Sequence, residues 1–285
     1  MTTLELRPRS STEIIDAAFQ LIRTNYGALL TLSVAAHIPL LIVRLLFFRV
    51  PLGTSATPEE VVKMFGSVDM MTWVVGGILV VVLSLGAQSA VIAGTGQAYL
   101  AGTVEAGGAV RRAVTRLLTM IIAFVLLMLL FGAAGLALAV VIPLLAAASA
   151  AASGIAALII ACFVMYVAIR FAPFMDVLVL EDIGPLEAIT RTWALAAGRV
   201  GHIFVTGLLA LFIYMGVFVV WLALLLAVAS VVPATKDPNV TDVLSTVGSA
   251  AVFPLLIAVT VVLYYDLRIR HEGFDVEQLA RQLEG

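Results

Sequence analysis

An uncharged stretch from Leu117 to Ile169 constrains this chain more than any other feature. An α-helix rises about 1.5 Å per residue, so a single helix of this length would extend roughly 80 Å. The hydrocarbon core of a bilayer is only about 30 Å thick, so the stretch must fold back on itself. We place the turn between Pro143 and Gly154, where proline removes a helix donor and the run AAASAAASG is small and permissive.

The composition favours a membrane environment for the rest of the chain. Hydrophobic residues make up 62% of the sequence, charged residues 12%, and the mean hydropathy is +1.15. A soluble domain is about half apolar and about a quarter charged. The sequence thus predicts an all-α, polytopic integral membrane bundle, with residues 1–285 as one domain. The net charge of −2 indicates no nucleic-acid partner, and we expect no cofactor.

Six segments are long and apolar enough to cross a bilayer, since a crossing needs about 20 apolar residues. The long uncharged stretch supplies the third and fourth of them. We predict spans at residues 26–48, 73–100, 117–142, 155–173, 203–232 and 243–265, with a polar tail at 266–285.

Two polar segments that precede spans have the pattern of amphipathic helices. In residues 10–26, Ser10 and Glu13 have the spacing of a capping box. In residues 184–199, Glu187 and Arg191 form an i,i+4 pair in the favourable order. Their apolar faces are predicted to consist of Ile15, Phe19, Ile22 and Tyr26 in the first segment, and of Leu186, Ile189 and Trp193 in the second.

We expect both segments to lie flat at the membrane interface. Phe19 and Trp193 would anchor them in the acyl boundary or against the bases of the spans. The alternative is that they are soluble helices that dock a protein partner, which the same amphipathicity would permit. A weaker third segment, residues 104–116, places arginines opposite apolar residues, although Gly107 and Gly108 argue against a helix at its start.

The distribution of basic residues predicts the orientation. Lys and Arg concentrate in the short cytoplasmic loops of membrane proteins. With six spans, all but four of the 16 basic residues fall on the side that holds both termini, and the exceptions are Arg44, Arg49, Lys63 and Lys236. Both termini and all three amphipathic segments are therefore predicted to be cytoplasmic.

Ionisable residues within or at the ends of spans are the first candidates for function, because they are costly in a bilayer. His37 lies within the first span, and we interpret it as a packing residue with a functional role as the alternative. Arg44, near the outer end, is expected to extend to the interface. The cytoplasmic ends of spans four and six carry charged residues that either pair across helices or simply mark where each helix leaves the membrane. They are Arg170, Asp176, Glu181, Asp182, Asp266, Arg268 and Arg270.

The second span carries small residues at four-residue spacing. Such a stripe lets helix backbones approach closely, which is the main packing device inside lipid. A second, polar face of the same span would make interhelical hydrogen bonds or line a path, and it consists of Ser84, Gln88 and Thr95. The predicted packing stripe consists of Gly86, Ala90, Gly94, Ala98 and Gly102.

The sequence lacks the motifs that usually carry catalysis. We find no G-x-S-x-G, no H-E-x-x-H, no P-loop and no G-x-G-x-x-G after a strand. The three histidines, His37, His202 and His271, are far apart in the chain, and Cys162 alone cannot build a thiolate metal site. We therefore predict no metal site and no enzymatic activity.

Three stretches resemble a known family. They are TEIIDAAFQLIRTNYGALL at residues 12–30, the region 178–204 with ITRTWALAAGRVGHIF, and LYYDLRIRHEGFD at 263–275. They are similar to the glycerophosphoryl diester phosphodiesterase membrane domain of bacteria. That resemblance implies an α-helical membrane module of poorly defined role in a prokaryotic inner membrane. In some members the module is fused to a catalytic barrel of about 250 residues; residues 276–285 are too few for one, so no catalytic residue is carried over.

The functional expectation is a membrane scaffold, a lipid-interacting module or an accessory subunit of a membrane complex. Its expected partners are membrane lipids and either another membrane protein or a second copy of the chain. The main alternative is a small transporter or channel with a path near the first two spans, and a remote third is an intramembrane enzyme. The charge-free second, third and fourth spans argue against transport.

Overall fold

The computed structural model describes residues 7–47, 69–232 and 237–274, and the regular structure among them is entirely helical. Six of the described helices are long and apolar enough to cross a membrane, which confirms the predicted all-α polytopic bundle. The helices in chain order are α1 Ser11–Phe47, α2 Met70–Ala101, α3 Ala106–Ala148, α4 Ala150–Arg170, α5 Phe174–Leu180, α6 Pro185–Leu195, α7 Val200–Val231 and α8 Pro238–Glu272.

Several helices are longer than a bilayer crossing requires. The 37 residues of α1 and the 43 residues of α3 correspond to roughly 55 Å and 65 Å, against about 30 Å of hydrocarbon. Much of the excess length gathers at one end of the bundle, together with α5 and α6. This end, here called the base, comprises residues 7–24, 89–116, 170–203 and 257–274.

The base contains most of the protein's core. α1 packs against α2 and α8, and α2 against α3. The largest buried side chains in the base include Ile14, Ile92, Tyr99, Leu178, Leu195, Tyr264 and Leu267. Elsewhere burial is sparse: in α7 only Ile203 and Thr206 are buried, and no described side chain of residues 129–165 is buried. Residues 129–165, the outer part of the α3–α4 hairpin, are here called the hairpin tip.

The first amphipathic segment and the first span form one helix with a kink. Asn25 has non-helical angles, φ −119° and ψ 15°, and its side chain donates to the carbonyl of Leu21 at 3.2 Å. The predicted capping box is confirmed, since the Glu13 carboxylate accepts from the Ser10 backbone N–H at 2.8 Å and from its hydroxyl at 2.9 Å. Residue 48, the predicted end of the span, lies outside the described residues.

The predicted apolar faces of the two amphipathic segments are only partly correct. In α1, Ile15 is buried and Ile22 packs against the core, as predicted. The predicted face did not include Ile14, Ala18 and Leu21, which are buried, and Phe19 is 44% exposed. In α6, Ile189 packs against the core as predicted, and Ala188 and Leu195 are buried. Leu186 is 67% exposed and Trp193 39%. The core-facing sides therefore combine alanine, which lets helices approach closely, with large aliphatic side chains, and the remaining bulky residues face outward, where lipid solvates them.

The α3–α4 hairpin differs from prediction at its start, whereas its turn falls within the predicted interval. α3 begins at Ala106, so Gly107 and Gly108 do not prevent the helix. It continues through Pro143, which a membrane helix tolerates, because neighbouring groups satisfy the freed carbonyl. The break falls at Ser149, whose extended backbone (φ −165°, ψ 130°) lies within the small-residue run.

Three further boundaries need correction. α4 ends at Arg170, three residues before the predicted end of span four, because a turn leads into α5. The short helix α5 was not predicted. The predicted tail at 266–285 is helical as far as Glu272, since α8 continues into the base. Arg49, Lys63, Lys236 and residues 275–285 lie outside the described part of the chain.

Candidate functional site

The carboxylate of Asp266 joins three parts of the base. It is 1% exposed and lies near the end of α8. Its oxygens accept from the backbone N–H of Arg9 at 2.6 Å and from Nε of Arg270 at 2.7 Å, and they lie 3.0 Å from Nε2 of His202. The described chain therefore starts and ends at the same end of the bundle, held by one buried acid.

His202 extends this cluster to the first turn of α1. Its Nδ1 lies 3.3 Å from the Ser11 hydroxyl. Serine, histidine and aspartate in series can activate a hydroxyl for acyl transfer. Here Asp266 is engaged by two further donors, Arg270 and the Arg9 N–H, and the Ser11 contact is long. The arrangement therefore serves first as a clamp between α1, α7 and α8.

A second network connects α5, α6 and α8. The Glu181 carboxylate accepts from Arg191 Nε and from the Tyr264 hydroxyl, both at 2.9 Å. Arg191 also pairs with Glu272, rather than with the predicted Glu187, and Glu272 pairs with Arg268 at 3.1 Å. Acids and bases alternate in this network, so each charge has an opposite neighbour.

Two arginines of α3 bind the C-terminal end of α5. Arg112 donates to the carbonyls of Val179 at 2.9 Å and Leu180 at 3.2 Å, and Arg116 to that of Ile183 at 3.2 Å. Cations at this position complement the unsatisfied carbonyls and the negative end of the helix dipole. This contact explains why so short a helix is stable where it lies.

Asp182 completes that contact. Both Arg112 and Arg116 pair with its carboxylate. The slight burial of the group works to raise its pKa, but the two guanidinium groups outweigh it and hold the pKa of Asp182 below its ordinary value. Because the carboxylate is 79% exposed, the pairs are screened by solvent and contribute little to stability.

Arg170 binds the far side of α6. Its guanidinium carbon lies 3.7 Å from the centre of the Trp193 ring, and its Nη2 donates to the Trp193 carbonyl at 2.6 Å. Its Nη1 donates to the Tyr166 hydroxyl at 3.0 Å. The predicted anchor Trp193 therefore packs against the C-terminal end of α4, with 39% of its surface still exposed.

Asp176 is, like Asp266, a fully buried acid among the predicted polar residues. It is 1% exposed in α5 and accepts from the Thr260 hydroxyl of α8 at 3.2 Å. Gly96 of α2 packs closely against α5 and α8, since a Cβ there would lie 2.6 Å from a methyl carbon of Leu180 and 3.5 Å from the Tyr265 hydroxyl. Close approach of α2, α5 and α8 thus encloses the acid in the core of the base.

The predicted polar residues therefore separate into two groups. Asp176, Glu181, Asp266, Arg268 and Arg170 all lie in the base, although Arg170 binds Trp193 and not the α8 acids. Two others lie apart from it. Arg44 pairs with Asp242 at 3.4 Å, and His37 packs locally, with Nδ1 2.7 Å from the Ser33 carbonyl and its ring edge-on to Phe253.

Sequence reasoning missed several residues that hold the base together. They share one property, an ionisable side chain close to a span end with a partner far away in sequence. His202 was noted only as distant from the other histidines, and pairing across helices was expected only in general terms. The missed residues are Arg112, Arg116, Arg191, His202 and Glu272.

The small-residue stripe of α2 has two environments. At Gly94 the helices are in close contact, since a Cβ would lie 2.6 Å from a methyl carbon of Leu32. Ala98 is buried, and Gly102 ends the helix with a positive φ of 72°. Gly86 and Ala90 instead border a cavity. The predicted tight packing therefore holds for only part of the stripe.

This cavity has a volume of about 380 Å³ and lies between α1, α2 and α3. Every residue that lines it is apolar. Its floor is formed by α2, where Ala87 and Ala90 are 5% and 6% exposed. Its walls are contributed by Leu32, Ala35, Ala36 and Pro39 of α1 and by Val110, Ala113, Val114 and Leu117 of α3.

Fold and site together define a multi-pass α-helical membrane protein whose helix ends form a charged, well-packed base. Among the described residues, no three His, Cys, Asp or Glu side chains are grouped so that they could hold a metal ion. No protein-family model, curated protein or solved structure matches the chain. The resemblance to the glycerophosphoryl diester phosphodiesterase membrane domain therefore remains a hypothesis.

Proposed function

We propose that the protein is a non-catalytic membrane scaffold that binds anionic lipids around its base. One observation carries this proposal. Most charges of the base pair with one another, but in the described part of the chain Arg23, Arg111 and Arg199 are exposed and make no ion pair. Exposed bulky apolar side chains lie at the same end, among them Phe19 and Leu186.

Exposed arginine beside exposed apolar surface suits the boundary between headgroups and acyl chains. The apolar side chains enter the hydrocarbon edge, and the guanidinium groups meet lipid phosphates. Phe19 is the anchor from α1, and Leu186 joins Trp193 as the anchor from α6. The rigid ion-pair networks would hold these elements at a constant level in the membrane.

The proposal includes a location in the cytoplasmic (inner) membrane of a prokaryote, with both termini in the cytoplasm. Its support is the asymmetry of basic residues, together with the joint position of Arg9 and Asp266 in the base. Reporter fusions after Arg9, Gly108 and Arg199 are expected to report cytoplasm, and fusions near Thr57 and Asp237 the outside. A base that reports from outside would overturn the orientation.

The transporter alternative has one observation in its favour, the cavity beside α1 and α2. Its lining is entirely apolar, which suits an apolar guest and not an ion or a polar solute. The two buried acids of the base, Asp176 and Asp266, accept hydrogen bonds from other parts of the base, which supports a structural role for them. Partners other than lipid would be a second membrane protein or a second copy of the chain.

Lipid-dependent stability tests the proposal. The purified protein would be reconstituted in phosphatidylcholine vesicles and in vesicles of equimolar phosphatidylcholine and phosphatidylglycerol. We expect a higher Tm with the anionic lipid, by about 2 °C for each contributing arginine. The triple variant Arg23→Gln, Arg111→Gln, Arg199→Gln is expected to lose the difference.

The matched control replaces the same three arginines by lysine, which keeps the charge. It is expected to retain most of the stabilisation. Equal Tm values of the wild-type protein in both kinds of vesicle would refute the proposal, as would a glutamine variant that is stabilised as strongly as the wild type.

A further inference from the structure

The cavity between α1, α2 and α3 is a groove and not a closed void. α2 forms its floor, and the exposed residues among its lining lie on the two walls: Ala35 and Pro39 on α1, Val110 and Val114 on α3. Its mouth therefore opens sideways, between α1 and α3. In a bilayer, the material at such a mouth is the acyl chains of neighbouring lipids.

The groove has the length of part of an acyl chain. Its lining runs from Leu32 to Pro39 on one wall and from Val110 to Leu117 on the other, each roughly 10 Å along a helix. One leaflet of hydrocarbon is about 15 Å deep.

A positive charge flanks the groove at the end nearer the base. Arg111 follows Val110 directly and precedes Val114, both of which line the wall. It is exposed, whereas Arg112 and Arg116 point to the other side of α3 and bind α5. A lipid that placed a chain in the groove would bring its phosphate to the level of Arg111.

We propose that this groove is a specific site for one phospholipid, with an acyl chain between α1 and α3 and an anionic headgroup on Arg111. The site deepens the proposed function and rests on it, since general contact with anionic lipid around the base would bring the ligand there. The specific site differs from this general contact because it requires the empty volume beside Gly86 and Ala90.

Filling the groove is the direct test. A Cβ on Gly86 would meet nothing closer than a methyl carbon of Leu117 at 3.9 Å, so Gly86→Leu can enter the empty volume. Gly77→Leu is the matched control, because Gly77 is in the same helix, has open space around it and does not border the groove. Native mass spectrometry after delipidation and addition of palmitoyl-oleoyl phosphatidylglycerol would count the lipids that remain bound.

We expect the wild-type protein and Gly77→Leu to retain one lipid that Gly86→Leu loses. Ala35→Phe blocks the groove at its exposed mouth, where the larger side chain does not have to fit inside the bundle. This variant should lose the same lipid. Arg111→Gln should weaken retention of phosphatidylglycerol about fivefold and leave that of phosphatidylcholine unchanged, while Arg23→Gln should change neither.

Equal lipid counts in wild type, Gly86→Leu and Ala35→Phe would overturn the site. If the wild type were a dimer that both blocks convert to a monomer, a second copy would occupy the groove, and the proposal would be wrong. Failure of the site alone would leave the Tm difference between the two kinds of vesicle intact. Loss of that difference in the wild type would instead indicate that the broader proposal has failed.

Discussion

The base and the hairpin tip are made of similar helices but are stabilised by different surroundings. In the base, α1, α2, α5 and α8 bury large side chains and join distant charges. In the tip, Leu136 is 72% exposed and Leu144 is 67% exposed, although both belong to one of the most apolar parts of the chain. Apolar composition alone therefore does not indicate burial within the protein.

The difference shows which solvent stabilises each region. In lipid, a leucine on the helix surface has no unfavourable solvation free energy. Backbone hydrogen bonds and helix contacts are therefore enough to stabilise the tip. The base has ionisable groups that must find partners, and tertiary contacts have to supply them. Substitutions in the two regions should therefore differ in cost even where the residue type is the same.

The largest expected effect is at the buried acid of the base. Asp266→Ala would leave Arg270 and the Arg9 N–H without their shared acceptor and should destabilise the protein by about 3–5 kcal/mol. Its counterpart is Asp242→Ala, which removes the partly exposed pair with Arg44 and should cost under about 1 kcal/mol. Denaturant unfolding in detergent measures both, and similar costs would contradict the comparison.

The next effect concerns glycine. Gly94→Leu would force α1 away from α2, because the first added carbon already overlaps Leu32, and should cost about 1–3 kcal/mol or more. Gly132→Leu, in the hairpin tip, has open space around it and should be nearly neutral. Thermal unfolding in the same detergent compares them. A wild-type Tm for Gly94→Leu would mean that the α1–α2 contact is not close.

A smaller effect is expected for Arg170→Lys. Lysine keeps the charge but loses the planar group that stacks on Trp193 and donates to its carbonyl, so we expect a loss of about 1 kcal/mol. Trp193 fluorescence should shift as the ring becomes less shielded. Unchanged stability and fluorescence would show that charge alone holds α6.

The smallest effect is a pH dependence at Asp182. Its folded-state pKa is lowered, so its pairs with Arg112 and Arg116 stabilise the protein above the ordinary carboxyl pKa and are lost as the pH falls through the lowered value. Asp182→Asn should cost under about 1 kcal/mol near neutral pH, and the difference from wild type should vanish in acid. A difference that grew in acid would reverse this assignment.

The six crossings and the helical class could be predicted because long apolar runs have a direct physical meaning in a bilayer. The faces of α1 and α6 could be predicted only in part. Apolar periodicity identified Ile15 and Ile189, but it did not assign Ala18 and Ala188 to the core, where small side chains permit close approach of helices.

The site was predictable only as a set of span-end charges. Sequence placed Asp266, Arg268 and Glu181 near the same side of the membrane, but it did not predict α5, which has only seven residues and depends on Arg112 and Arg116 for its end. The groove was also beyond prediction, because the spacing of Gly86 and Ala90 is the same whether a helix or an empty volume lies opposite.

The hydrogen bond between Arg9 and Asp266 joins residues that are 257 positions apart in the chain. At a synthesis rate of about 5–20 residues per second, Arg9 leaves the ribosome roughly 10–50 s before its acceptor exists. During that interval the first turn of α1 has no finished base to bind. The base can therefore close only after α8 has been synthesised. A chain truncated before α8 would expose the unpaired charges of an open base to the cell's quality-control proteases.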